Sequence, residues 1–359
     1  MSSTSKIFQP IQLGDLQLHH QVVQAPMTHL HSVKNLILPI VREYYMQRAM
    51  TSGTLIISEG SVQSRSVSPG IFTEEQIAAW LEVTNLVNAQ GSFMYCQLFA
   101  MGRAATIPEL ANPNVVFDLV SVSAIPLPGQ TVAPHALMLP EIKEYIQLFV
   151  DAADNVVNKA GFDGVEVHAR TVEYGGNPEN RARIFLEIVA ATAKVVGESK
   201  IGVSISPWSS YQGMLMEDPI PTFSYVVRTL RDPFPSWEGV TPGLGIPTLA
   251  YLHIIEPHTE GSVTVEWSAD NQHHSNDFIR EIWGTRPLIS AGGYSRESAM
   301  ARADETGEMI AFGSVFLANP DLPLRLEKNI PLTRGDRSTY YVTTSDPAGY
   351  TSYPFATTS

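Results

Sequence analysis

The chain has 359 residues, of which 44% are hydrophobic and 16% charged, a composition typical of a globular protein and too apolar for a disordered one. Its formal net charge of −13 argues against nucleic acid and anionic membrane as partners, because both need a basic surface. The single cysteine, Cys96, cannot form an internal disulfide. No apolar run reaches the ~18 residues of a membrane span, and the polar start of the sequence lacks a signal-peptide pattern. We therefore expect a cytosolic protein.

Short apolar runs alternate with longer stretches of helical periodicity along the chain. The predicted strands, in chain order, are Val22–Ala25, Thr54–Ser58, Phe93–Leu98, Gly164–His168, Ile201–Ser206, Tyr251–Ile255, Pro287–Ala291 and Glu308–Phe312. Helical periodicity falls between most of them, for example at Glu74–Ala89, Glu141–Lys159, Pro178–Val196 and Ser275–Trp283. This alternation is typical of parallel strands with right-handed crossovers, and the number of units favours a closed (β/α)₈ TIM barrel of the α/β class over an open sheet.

Two Pro-rich stretches interrupt the alternation, at about residues 100–140 and 232–248. The strand count continues across both, so we interpret them as surface insertions in one barrel domain that spans residues 1–359. Helix starts are predicted at Asn177-Pro178-Glu179 and at Asn319-Pro320-Asp321, where an N-cap residue precedes a proline and an acid. The tail from Arg334 is expected to fold over the barrel.

The C-terminal ends of the strands are where a TIM barrel carries its functional groups. His168 ends the fourth strand, so its imidazole is a candidate hydrogen-bond donor or proton-transfer group. Glu166 shares its face of the strand and points into the barrel, where a carboxylate needs a partner and is expected to brace the structure. Glu59 is expected to accept a structural hydrogen bond from a neighbouring backbone.

Several segments resemble the Old Yellow Enzyme family, in the family's order along the chain. They are EYYMQRA (43–49), IISEG (56–60), GFDGVEVH (161–168), EYGGNPENRAR (173–183), SPW (206–208), SAGGYS (290–295), FGSVFLANPDL (312–322) and GYTSYP (349–354). The resemblance implies a barrel that binds FMN and reduces activated alkenes with hydride from NADPH.

The resemblance also implies roles for individual residues. Thr28, Gly60 and Gln97 match contacts to the flavin ring, and Gly292, Gly293 and Gly313 match backbone positions that cradle the phosphate. His168 matches a group that binds the substrate carbonyl, and Tyr350 matches a tyrosine that borders the pocket.

The chain departs from the family pattern at two cations. Ser204 and Ser314 stand where the family carries arginines for the flavin and the phosphate. An arginine contact of this kind contributes roughly 1.5–3 kcal/mol, so two losses weaken binding by about two to four decades. Arg296 and Arg325 are near enough in sequence to be candidate replacements. Even so, we expect no tightly bound cofactor, with FMN as the cofactor if the altered site still works.

A third departure lies between His168 and Glu173, where the family has a longer loop with a proton-donating tyrosine. Arg170 and Tyr174 are nearby but do not match that position, and they are the remaining catalytic candidates beside His168 and Tyr350. Without that tyrosine, ordinary alkene reduction should be slow.

Three hypotheses follow from these departures. The first is a flavin-independent isomerase or cyclase that acts on an unsaturated, apolar carbonyl compound in specialised metabolism. The second is an FMN-dependent NAD(P)H ene-reductase, and the third is a non-catalytic binding protein. In each case we expect the protein to bind an apolar small molecule and not nucleic acid, a membrane or a metal ion. A homodimer is compatible with all three hypotheses.

Overall fold

A closed barrel of parallel strands forms the centre of the protein in a computed structural model that describes residues 5–61, 68–105, 119–169, 176–232, 249–257, 259–260, 263–264 and 273–357. The barrel strands are β1 (Val22–Gln24), β2 (Leu55–Ile57), β3 (Phe93–Leu98), β4 (Gly164–Ala169), β5 (Ile201–Ile205), β6 (Tyr251–Ile255), β7 (Leu288–Ala291) and β8 (Met309–Phe312). Each strand pairs with its neighbours in chain order, and β8 pairs with β1 to close the circle. The predicted TIM barrel is therefore confirmed.

Helices surround the barrel in the order that the sequence alternation predicts. They are α1 (Ile40–Ala49), α2 (Glu74–Ala89), α3 (Leu139–Asp154), α4 (Pro178–Val196), α5 (Ile220–Arg231), α6 (Asp277–Trp283), α7 (Arg296–Thr306), α8 (Ser314–Ala318) and α9 (Leu322–Lys328). A π-helical turn, Asn155–Lys159, continues α3. No helix in the described part of the chain is long and apolar enough to cross a membrane.

The two predicted helix starts have different outcomes. The Asn177 side chain accepts a hydrogen bond from the backbone of Asn180 at 3.0 Å, which caps α4 as predicted. The prediction at Asn319 was wrong, because α9 begins at Leu322. The Asn319 side chain donates instead to the carbonyls of Val315 and Thr333, so it joins α8 to the loop at Thr333.

A short hairpin packs at the N-terminal end of the barrel. Its strands, Ile11–Leu13 and Leu16–Leu18, place Leu13 and Leu18 in one buried apolar cluster with Tyr95 of β3 and Tyr251 of β6. Because large side chains fill this end, the C-terminal ends of the strands are the accessible face of the barrel. Of the two predicted insertions, residues 233–248 and 106–118 lie outside the described residues.

The tail folds over the barrel, as predicted. Gln47 of α1 donates to the carbonyl of Thr351 at 3.0 Å, and Arg325 of α9 donates to the carbonyl of Pro354 at 2.7 Å. His31 also contacts the carbonyl of Thr344, with its Nδ1 at 2.7 Å.

Candidate functional site

His168 lies at the C-terminal face of the barrel, as the sequence predicts. It is the fifth residue of β4 and is paired in register with Ser204 of β5, which in turn is paired with His253 of β6. His168 is half-buried and borders a cleft, whereas Ser204 is only 1% exposed. Of these three register-paired residues, His168 is therefore the one whose side chain an entering molecule can reach.

A buried polar network lies below His168 inside the barrel. Gln97 of β3 donates to Glu166 Oε1 at 2.7 Å, and His253 Nδ1 lies 2.9 Å from Glu166 Oε2. Burial alone raises the pKa of Glu166, but the charge of His253 and the hydrogen bonds from His253 and Gln97 bring it below its ordinary value. Glu166 therefore joins three strands as a carboxylate, which is the bracing role that we predicted.

His253 was not among the candidate residues from the sequence. It is fully buried in β6, and its Nε2 has no hydrogen-bond partner among the described residues. A histidine inside an apolar run, as in Tyr251–Ile255, was the signal that could have found it. Its partner Glu166 could not be identified from spacing, because the two residues are far apart in the chain.

Tyr350 lies in a buried cluster of aromatic rings. It is 1% exposed, and its ring stacks on Tyr44 with centroids 4.2 Å apart and an angle of 3° between the planes. The His31 ring lies 3.9 Å from the Tyr350 ring, and the His29 ring lies 5.1 Å from it. This placement is that of a core residue, so we assign Tyr350 no chemical step.

Two ionisable groups are buried beside these rings. Arg48 donates to the carbonyls of Tyr44, Leu317 and Tyr350, and its guanidinium lies 3.6 Å from the centre of the Tyr44 ring. Glu59 accepts a hydrogen bond from the backbone of His29 at 3.3 Å, as expected for a structural carboxylate. Burial raises the pKa of Glu59 to about 7.

The candidates for flavin-ring contacts lie together at the mouth of the barrel. Thr28 follows β1 and is exposed, Gly60 follows β2, and Gln97 is in β3. A Cβ on Gly60 would lie 2.6 Å from the Phe99 ring, so a larger residue there would have to displace that ring. The amide nitrogen of Gln97 already donates to Glu166.

The candidate phosphate cradle lies after β7 and β8. Gly292 has φ +133° and Gly293 has φ +61°, conformations that favour glycine, and a Cβ on Gly292 would lie 2.5 Å from Thr259 Oγ1. Gly313 follows β8, where a Cβ would lie 3.2 Å from Met27 Sδ. The backbone conformations of Gly292 and Gly293 therefore fit the glycine turn that the family resemblance assigns to the phosphate.

Both replacement cations that we considered contact other groups, Arg325 through all of its guanidinium nitrogens and Arg296 through Nε. Arg325 is 5% exposed and donates to Asp321 Oδ1 at 2.6 Å and to two backbone carbonyls. Arg296 donates through Nε to the carbonyl of Leu326 at 2.6 Å. In the described part of the chain, the glycines therefore fit the backbone part of an FMN site. The two expected arginines are missing, because Ser204 and Ser314 occupy their positions.

The remaining catalytic candidates, Arg170 and Tyr174, lie outside the described residues.

Comparison with known proteins identifies the family. Residues 6–333 match the model of the NADH:flavin oxidoreductase / NADH oxidase family. A chanoclavine-I aldehyde reductase of Penicillium roqueforti is 38% identical, with 98% of this chain and 97% of the relative aligned. A probable inactive reductase of Epichloe festucae var. lolii is 39% identical, with 99% of this chain and 96% of the relative aligned.

A solved structure gives the same result at the level of the fold. The Old Yellow Enzyme of a Pichia species superposes with a TM-score of 0.82 at 27% identity, over 99% of this chain and 95% of that one. Since the match covers both the barrel and the motifs at its mouth, the chain belongs to the NADH:flavin oxidoreductase family, that of the Old Yellow Enzymes.

Proposed function

We propose that this chain is an enzyme of specialised metabolism that isomerises or cyclises an unsaturated, largely apolar carbonyl compound without tightly bound FMN. The observation that carries the proposal is the combination at the barrel mouth: His168 is accessible beside an apolar cleft, while both positions for the flavin cations are serines. A relative named for reduction of the aldehyde of chanoclavine-I supports a carbonyl compound as the substrate.

His168 supplies the polar contact of the proposed reaction. An imidazole N–H that donates to the substrate carbonyl draws electrons toward oxygen, and this activates a neighbouring alkene. Moving the double bond requires removal of one proton from carbon and delivery of one proton to another carbon, so no electrons are gained or lost. Histidine can exchange protons near neutral pH, and the carboxylate of Glu166, one inward-facing position below it, attracts a protonated imidazole.

The second candidate function is FMN-dependent reduction of an activated alkene. Family membership and the reductase names among the relatives favour it. Thr28, Gly60 and Gln97 would hold the ring, and backbone groups at Gly292–Gly293 and Gly313 would hold the phosphate. FMN would supply hydride that it receives from NAD(P)H. His168 would bind the same carbonyl in either reaction.

One preparation of the full chain tests both functions. We expect no flavin absorbance between the near ultraviolet and the blue in the purified protein. We also expect interconversion of β,γ- and α,β-unsaturated aldehydes without added FMN or NADPH. One tightly bound FMN per chain together with NADPH-dependent alkene reduction would establish the second candidate and overturn the first.

The role of His168 is tested by substitution. His168→Ala should lower turnover by about 10²–10³-fold, because removal of one hydrogen-bond donor to a developing oxyanion typically slows a reaction by that factor. The melting temperature should stay near that of the wild type. His168→Gln keeps a donor and should be milder. The control is His273→Ala, which removes an exposed imidazole. A lower melting temperature with unchanged turnover per folded molecule would show that His168 only braces the strand end.

A further inference from the structure

We infer that the cleft beside His168 binds the hydrocarbon body of the substrate, a straight chain attached to the carbonyl. The cleft has a volume of about 140 Å³ and lies between the ends of β3 and β4 and the helices α3 and α4. This inference rests on the proposed function for the carbonyl contact, whereas the apolar binding can be tested separately.

The inner wall of the cleft is built from side chains of two helices and one strand. Phe149 of α3, Ile184, Phe185 and Ile188 of α4, and Val167 of β4 are all apolar and less than a tenth exposed. His168 lines the same cleft, so a carbonyl bound at the imidazole would lie in the space that this apolar wall borders. A molecule with a polar head at His168 can therefore place an apolar body against α3 and α4.

The rim of the cleft is held by a contact between two loops. Arg103, in the loop after β3, donates to the carbonyl of Gly213, in the loop after β5, at 2.9 Å. Met101 and Met214 flank this contact and are half-buried. Methionine side chains adapt their shape to varied apolar ligands, which suits a rim through which a flexible chain passes.

A hydrocarbon body placed against the inner wall would be removed from water, and burial of apolar surface stabilises a complex. Water, by contrast, gains few hydrogen bonds from the Phe, Ile and Val side chains of this wall.

The test is calorimetric titration of the full chain with straight-chain methyl ketones from butanone to dodecanone. Burial of each methylene in an apolar cleft should tighten binding roughly fourfold until the cleft is full. Ile188→Trp fills the inner wall and should abolish the dependence on chain length. Met101→Trp at the half-buried rim should reduce it and serves if Ile188→Trp does not fold. The matched control is Leu148→Trp, at an exposed position of α3 that does not line the cleft.

The outcomes separate this inference from the proposed function. Equal affinity for butanone and dodecanone, or a chain-length dependence that survives in both cleft variants, overturns the cleft assignment even if His168→Ala still weakens every ketone. If the dependence is present but His168→Ala changes no affinity, the cleft stands and the carbonyl role of His168 fails. We expect His168→Ala to weaken all ketones by one common factor and to leave the chain-length dependence unchanged.

Discussion

Restoring a cation to the phosphate cradle should restore FMN affinity, and Ser314 is the position at which to do so. Ser314 is exposed at the first residue of α8, directly after Gly313, so an arginine there can extend without displacing packed atoms. Ser204 is 1% exposed inside the barrel, and an arginine forced into that space risks an overpacking cost of roughly 1–3 kcal/mol. The single substitution Ser314→Arg is therefore the clean perturbation.

The expected gain follows from the contact that is added. A charge-assisted hydrogen bond between arginine and phosphate contributes roughly 1.5–3 kcal/mol, which corresponds to about tenfold to 150-fold tighter FMN binding. A surface substitution of this kind should change the free energy of unfolding by less than about 0.5 kcal/mol. The gain should shrink as the salt concentration rises, because screening weakens an exposed ionic contact.

The assay is quenching of FMN fluorescence on titration with wild-type protein, Ser314→Arg and the control Thr306→Arg. Thr306 ends α7 and lies at the opposite end of the barrel from the cradle, so the control adds the same charge away from the phosphate. If Ser314→Arg binds FMN no tighter than Thr306→Arg, the cradle is not a phosphate site in this chain. Stoichiometric FMN in the native wild-type preparation would show that the missing cation does not limit binding.

Three further predictions concern stability. Burial lowers the pKa of His29 to about 3 and raises that of Glu59 to about 7. On acidification from about pH 7 to pH 5, His29 takes up a proton in the unfolded state but not in the folded state, which lowers the free energy of unfolding by about 2 kcal/mol. Glu59 takes up a proton in the folded state first, which raises the free energy of unfolding by a similar amount, about 2 kcal/mol. Urea unfolding should therefore show that His29→Gln makes the fold relatively more stable at the lower pH and that Glu59→Gln does the reverse; parallel profiles would contradict this. Arg325→Ala leaves the buried carboxylate of Asp321 without its ionic partner and should lower the free energy of unfolding by about 3–5 kcal/mol, visible as a lower melting temperature and earlier proteolysis of the tail. Gly292→Ala requires an unfavourable φ and should lower the free energy of unfolding by about 1–3 kcal/mol in chemical denaturation, and an unchanged value would contradict this.

The sequence by itself determined the barrel. Strand period, helix period and chain order are local properties, and eight alternating units leave few ways to bury both faces of a parallel sheet. The position of His168 at the mouth followed from the same reasoning, because the end of a strand can be located without knowing its partners. The inward direction of Glu166 also followed, from the two-residue repeat of a strand.

Only the tertiary structure decided what those side chains contact. Glu166 of β4 contacts His253 of β6, 87 residues further along the chain, because both side chains point into the interior of the closed barrel, where strands that are not neighbours face one another. Tyr350 proved to be stacked in the core rather than open to a pocket, and Arg325 proved to brace the tail, since the fold of that tail depends on contacts with α1 and α9. The cleft beside His168 is likewise formed where α3, α4 and two loops meet. A local sequence pattern cannot predict such a space, because its size depends on how distant elements pack.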